Sequence, residues 1–220
     1  SDLLNRCLAL QAKWGALWKS GSRFGDACNC VDVAPSRLHG LGVHASVDIA
    51  QGSLATMYPI HALGDAKRLL ARREDRDSAY FSGSERGYRL EPWHDELFGW
   101  ASDLWIDANP EREPCPGWMG HLLNDAAVCS GASDEEILDY YLKGAQDCNC
   151  VMLPCGEAAP LMAVYTTRGV ERGEELTFSY GHDYWLSQAD MEVPPDSEAV
   201  ALARLAWNKD LIAKLADMRE

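Results

Sequence analysis

The chain reads as an α+β protein rich in β structure, and three observations carry that reading. Short runs suited to strands, Val31-Asp-Val33, Gly42-Val-His-Ala-Ser-Val47 and Ser53-Leu-Ala-Thr-Met-Tyr58, follow one another with breaks at Gly40 and Gly52, the pattern of a small curved sheet. Both ends carry apolar residues at helical intervals instead, so helices flank the strands. The 220 residues, 47% of them hydrophobic, are enough for one domain with a real core and helical extensions.

Residues 1–28 make the first flank. Leu3, Leu4, Cys7, Leu8, Trp14, Leu17 and Trp18 stand near helical spacing, and residues 21–25 end the helix with glycines. Residues 29–187 form the main domain, which opens on the three strands above. Residues 65–77 are charged with Ala and Leu between, which predicts a solvated helix. Strands return at Tyr88-Arg-Leu90 and Leu104-Trp-Ile106, and residues 110–116 form a loop bounded by prolines. Ser133 ahead of Asp134, Glu135 and Glu136 supplies an N-cap and an acidic first turn, so a helix is predicted over 135–143. Val151-Met-Leu153 and Leu161-Met-Ala-Val-Tyr165 are further strands. Pro194-Pro195 marks a boundary, and over 196–220 Val200, Ala203, Trp207, Leu211, Leu215 and Met218 form a helical stripe that core packing explains.

The net charge of -14 disfavours direct binding to a nucleic-acid backbone and favours a basic partner, although the same charge also serves solubility. Eight cysteines in a chain of this size are too sparse for a disulfide scaffold, so free thiols in a reducing compartment are expected. Cys28-Asn-Cys30 and Cys148-Asn-Cys150, with Cys155 nearby, are closer than the usual zinc-ligand spacing of about two to four residues. No metal is expected. No apolar run approaches the roughly 18 residues of a membrane span, and no signal-peptide pattern opens the chain. These features predict a nuclear or cytoplasmic protein that is neither membrane-bound nor secreted; they leave its oligomeric state open.

Four strings then arrive in a fixed order: Ser36-Arg-Leu-His-Gly-Leu-Gly-Val-His-Ala45, Ile106-Asp-Ala108, His121-Leu-Leu-Asn-Asp-Ala126 with Asn149-Cys150 after it, and Arg168-Gly-Val-Glu-Arg-Gly-Glu-Glu-Leu-Thr-Phe-Ser-Tyr-Gly181. Together they resemble the motifs of SET-domain protein-lysine methyltransferases, which carry Arg-Phe-Ile-Asn-His-Ser centrally and close on Gly-Glu-Glu-Leu and Phe-x-Tyr-Gly. The resemblance implies a SET fold of small curved β-sheets with a C-terminal pseudoknot. It also implies S-adenosylmethionine as cofactor and methyl transfer to a lysine in a histone tail or another basic protein segment. Against the family pattern the chain has inserts near 64–86 and 127–147, the second separating Asn149-Cys150 from the central motif.

The same resemblance distributes roles. Gly40, Leu41, Gly42 and Val43 become the cofactor wall. Asn124 takes the place of the family's asparagine, its amide offering donors and an acceptor. His121 stands where arginine is usual and Asp125 where histidine is usual; the histidine acts on adenine mainly through its backbone. Trp185 is placed to stack on adenine. Tyr180 falls where the substrate channel meets the methyl group, and Phe178 two residues earlier implies room for more than one methylation. Tyr58 matches the tyrosine of a Tyr-x-Gly strand end, although Pro59-Ile60 follows it, and Tyr88 aligns with the aromatic lining of the channel. Core packing is the simpler reading for any one of these aromatic residues. Two other functions compete: a SET fold that has lost catalysis and binds a partner or cofactor, favoured by Asp125 and the missing glycine, and a SET enzyme acting on another nucleophile or a small molecule. For lysine transfer the amine must be neutral, yet with a pKa of about 10.4 only about one in 2,500 is neutral at pH 7. A desolvating channel beside a sulfonium lowers that pKa, and no metal or covalent intermediate is required.

Overall fold

A computed structural model describes residues 30–65, 69–72, 88–90, 94–95, 100–101, 104–155 and 161–216. The helix expected over 1–28 lies outside the described residues. Strands come in chain order as β1 (Val31–Pro35), β2 (Leu41–Ala45), β3 (Leu54–Met57), β4 (Ala62–Asp65), β5 (Leu69–Arg72), β6 (Arg89–Leu90), β7 (His94–Asp95), β8 (Trp100–Ala101), β9 (Leu104–Asp107), β10 (Cys150–Cys155), β11 (Leu161–Thr166) and β12 (Glu175–Leu176). The helices are α1 (Asp134–Asp147), α2 (His182–Gln188) and α3 (Glu198–Ala216). The strands assemble as small sheets in the orders β1-β2-β12, β10-β11-β3, β5-β4-β9-β6 and β7-β8. The expected β-rich α+β fold is therefore met. No described helix is long and apolar enough to cross a membrane.

The described residues divide into two compact units, one comprising 56–121 and 153–163, the other 30–55, 122–152 and 164–216. In the second unit β1 and β2 form an antiparallel hairpin running from Val31 opposite Ala45 to Pro35 opposite Leu41. Its turn closes with Ser36 N–H donating to Gly40 O at 2.9 Å, and Gly40 holds the φ of +52° that glycine adopts without a Cβ penalty. Strand β12 arrives from far along the chain to pair with the other edge of β2, Glu175 opposite His44 and Leu176 opposite Val43. Val43 and Leu176 are completely buried, so apolar burial fixes this long-range register.

Helix α1 begins as expected: Ser133 caps it, and Glu136 reaches back to the cap in a capping box. It continues a turn beyond residue 143, to Asp147. The extension includes Gly144, a poor helix former, at a point where a Cβ would lie 3.2 Å from the Trp207 ring of α3. The face of α1 carrying Ile137, Tyr140 and Tyr141 shares a core with Ala127, Cys129, Leu186 and Val200, with Trp185 and Ala203 packed against it.

In the first unit β4 lies between β5 and β9, with Ala62 opposite Asp107 and Leu63 opposite Ile106. Strand β5 corrects the expected solvated helix over 65–77, since Leu69–Arg72 pairs with β4 through a bulge at Leu63 and Gly64. The edge of β4 away from β9 offers β5 a ladder of backbone groups, and that tertiary pairing outweighs local helix preference. The rest of that stretch lies outside the described residues. Met57, Ile60, Ala62, Ile106 and Ala108 form the buried centre of this unit.

Candidate active site

The second unit holds all the sequence-predicted cofactor residues but His121, arranged about two carboxylates, Glu175 and Asp125. Asn124, buried beside the β1–β2 turn, donates from its amide nitrogen to His39 O at 3.1 Å, Leu41 O at 3.0 Å and Glu175 Oε1 at 2.8 Å. Ser36 Oγ donates to both oxygens of Glu175, at 2.7 and 2.9 Å. A Cβ on Gly42 would lie 2.2 Å from Glu175 Oε1, so glycine at this position makes room for the carboxylate. Sequence reasoning assigned Gly42 to the cofactor and gave Glu175 no role. Two amide protons facing three oxygens make an acceptor-rich turn, a surface suited to N–H donors such as an ammonium. Leu41 is exposed and Val43 fully buried.

One residue further along, Asp125 organises the C-terminal segment. Its Oδ2 receives the hydroxyl of Tyr140 at 2.6 Å, the backbone N–H of Tyr180 at 2.9 Å and the indole N–H of Trp185 at 2.9 Å. Its Oδ1 receives Ala127 N–H at 3.0 Å. Burial raises the carboxyl pKa above its ordinary value, while the bonds from Tyr140, Tyr180, Trp185 and Ala127 pull the other way. Burial, with the Asp125 charge second, raises the Tyr140 phenol pKa steeply, which leaves the proton on the tyrosine.

Tyr180 is half-buried and gives its hydroxyl proton to Leu123 O at 2.6 Å. Towards any other group that oxygen acts only as an acceptor. Trp185 stacks on the Tyr180 ring at 5.9 Å with 14° between planes, and Phe178 and Tyr184 meet Tyr180 edge-on. Phe178 N–H donates to Asn124 O at 3.1 Å, and the N–H groups of Asn149 and Cys150 donate to Thr177 O. Asn149 returns the contact, accepting Thr177 N–H on Oδ1 at 2.8 Å and donating to Glu175 O at 2.8 Å. The segment from Glu175 to Gly181 is thus tied to the central motif, to Asn149-Cys150 and to α1.

The first unit holds the remaining predicted residues, Tyr58, Tyr88 and His121. Tyr58 is buried and donates its hydroxyl to Tyr88 O. The His121 ring meets Tyr58 at 6.2 Å, His61 at 6.2 Å and Tyr88 at 6.3 Å, all edge-on. His61 Nδ1 accepts Asn109 N–H at 2.8 Å, whereas both ring nitrogens of His121 are buried without a hydrogen-bond partner. Burial, and then the neighbouring His61, lower the His121 pKa to about 3, so its imidazole is neutral across the physiological range. Arg89 lies 3.9 Å over the Trp105 ring and 3.7 Å from Asp107 of the Ile106-Asp-Ala108 string.

Burial also raises the thiol pKa of Cys148, to about 12. Among the described residues no group of three or more His, Cys, Asp or Glu side chains is placed to hold a metal ion. Sequence reasoning passed over Glu175, Tyr140 and Ser179. Glu175 stood in the quoted Gly-Glu-Glu-Leu string, which is the one signal that pointed to it.

No curated protein sequence matches the chain significantly. The family model described as SET domain matches residues 40–181, a span that takes in the glycine turn, Asn124, Asn149 and the closing Phe178-Ser-Tyr180-Gly181 string. That match covers well over half of the chain and includes both units, and the chain belongs to the SET-domain family.

Proposed function

We propose that the chain is an S-adenosylmethionine-dependent protein-lysine N-methyltransferase whose substrate is a basic protein segment such as a histone tail. The observation that carries this reading is the pairing, within one unit, of the acceptor-rich Asn124–Glu175 turn with a tyrosine whose hydroxyl is held as an acceptor. The residues fit the cofactor's amino-acid end: the carbonyls of His39 and Leu41, the Glu175 carboxylate and the Asn124 amide supply acceptors for its ammonium. When bound, the cofactor supplies an electrophilic methyl group on a sulfonium. Gly40, Leu41, Gly42 and Val43 wall that site, with Asp125 and Trp185 as its other predicted neighbours in the same unit. Tyr180 orients the incoming amine and accepts weak C–H contacts from the methyl group. Phe178 leaves room beside it. We read the segment from Glu175 to Gly181 as the threaded strand of a pseudoknot, in keeping with its bonds to Asn124 and to Asn149-Cys150. The net charge of -14 favours a basic substrate.

One observation favours a SET module that has lost catalysis: Asn124 and Asp125 are both engaged by partners within the protein. Calorimetry with S-adenosylmethionine, followed by methyl transfer to a peptide array, separates the readings. The enzyme reading expects binding that weakens about tenfold or more in Asn124→Ala, and transfer that collapses in Tyr180→Phe while the fold and cofactor affinity persist. Binding without transfer to any peptide supports the inactive module. A folded Asn124→Ala variant with wild-type affinity refutes the assigned cofactor site.

A further inference from the structure

Helix α1 sits in an insert relative to the family pattern, yet it reaches the segment that carries Tyr180. Tyr140 projects from the buried face of α1 and is itself only 2% exposed. Its hydroxyl donates to Asp125 Oδ2 at 2.6 Å, and its oxygen lies 2.7 Å from Ser179 Oγ and 2.9 Å from Gly181 N. With its one proton given to the carboxylate, the phenol accepts from both the Ser179 hydroxyl and the Gly181 N–H. Every polar capacity of the group is used. Asp125 meanwhile holds the Tyr180 N–H and the Trp185 indole. The three consecutive residues Ser179, Tyr180 and Gly181 therefore all end on one Tyr140–Asp125 pair.

We infer that Tyr140 and Asp125 act together as positioning residues for Tyr180, so that the inserted helix is a working part of the methyl-transfer site. The inference rests on the methyltransferase reading above. Two features separate it from simple core packing. A phenylalanine at 140 would fill the same space among Ile137, Leu186 and Val200, so packing alone does not call for the hydroxyl. The neighbouring Tyr141 offers a comparison, since its hydroxyl bonds to His182 Nδ1 at 2.9 Å rather than to the Tyr180 segment. Aspartate where the family has histidine then has a local explanation: its carboxylate gathers four donors, two of which, the Ala127 N–H and the Tyr140 hydroxyl, the insert supplies.

The test compares Tyr140→Phe, Asp125→Asn, their double variant and Tyr141→Phe in the full chain. Amide hydrogen exchange at Tyr180 and Gly181 is read without cofactor, S-adenosylmethionine affinity by calorimetry, and methyl transfer on the best array peptide well below the thermal midpoint. In Tyr140→Phe the two amides should exchange about tenfold faster or more. Turnover should fall about 10- to 100-fold with peptide KM little changed, as expected of a misplaced catalytic group. Asp125→Asn should act on the same amides, and the double variant should be less than the product of the two single effects. Tyr141→Phe should lower the thermal midpoint but leave turnover of the folded protein unchanged. Wild-type exchange and turnover in Tyr140→Phe, or equal turnover losses in Tyr140→Phe and Tyr141→Phe, would overturn the inference while leaving the methyltransferase reading intact. A wild-type chain that neither binds the cofactor nor transfers methyl groups removes both.

Discussion

Asp125 and His121 stand four residues apart in sequence, are 5% and 6% exposed, and both replace residues usual in the SET family. They meet burial in opposite ways. Asp125, in the second unit, draws four donors onto its two oxygens. His121, in the first, has aromatic edges around it and no hydrogen bond on either nitrogen. A buried polar group is tolerated when it is fully paired, or when it can give up its charge. Aspartate here takes the first course and histidine the second. The contrast predicts that the two positions fail differently when altered.

The largest effect is expected at the paired position. Asp125→Ala leaves the Tyr140 hydroxyl, the Trp185 indole and the N–H groups of Tyr180 and Ala127 without their acceptor at once. Stranding several buried donors costs about 3–5 kcal/mol. Urea unfolding should show the loss as a lower midpoint, together with weaker S-adenosylmethionine binding by the fraction still folded. A loss below about 1 kcal/mol would mean that water or neighbouring groups replace the carboxylate readily, and the contrast between the two sites would collapse.

The second effect is a pH dependence carried by His121. An unfolded chain protonates this imidazole near pH 6.5, whereas the folded one waits until about pH 3. Protons therefore favour the unfolded state in that window: the histidine's contribution is complete above about pH 6.5 and is lost as pH falls, with a slope of about 1.4 kcal/mol per pH unit. Asp125 works in the other direction, because a raised pKa makes the folded state bind its proton more readily as pH falls. His121→Phe keeps an aromatic ring in the Tyr58–His61–Tyr88 surroundings and removes the titration. Its unfolding free energy should exceed wild type by a margin that grows from pH 6 to pH 4. Parallel stability curves for the two proteins would show that His121 finds a partner in solution.

The comparison also shows what could be read from sequence. Strands β1, β2, β3 and β11 were legible from short apolar alternation between breaks, and the start of α1 from Ser133 and Glu136. Asn124, Asp125, Phe178, Tyr180 and Trp185 were named by motif, and the structure sets their contacts within one unit. The misses share a cause. Glu175 reaches Asn124 only because β12 pairs with β2 across roughly 130 residues of chain. Tyr140 looked like any apolar position on an amphipathic helix, since a sequence pattern does not say which segment a hydroxyl will meet. Strand β5 was read as a helix for a related reason: its partner edge on β4 is a property of the assembled sheet. The orphaned nitrogens of His121 were equally invisible, because the absence of a partner is a three-dimensional fact.

The smallest effect sharpens the paired side of the comparison by removing one donor and keeping the acceptor. Trp185→Phe deletes the indole N–H, while Asp125 Oδ2 keeps the Tyr140 hydroxyl and the Tyr180 N–H. No buried donor is stranded, and an aromatic ring remains to face Tyr180, on which Trp185 stacks. The expected loss is therefore about 1 kcal/mol, one net hydrogen bond and some stacking area. Cofactor affinity should weaken only about twofold to fivefold, less than in Asn124→Ala, because the acceptor-rich turn at Glu175 is untouched. Urea unfolding and calorimetry on the same preparation decide it. A stability loss in Trp185→Phe equal to that of Asp125→Ala would show that the indole alone holds the carboxylate in place. A large fall in cofactor affinity at unchanged stability would instead assign Trp185 to direct contact with the adenine, as the sequence first suggested.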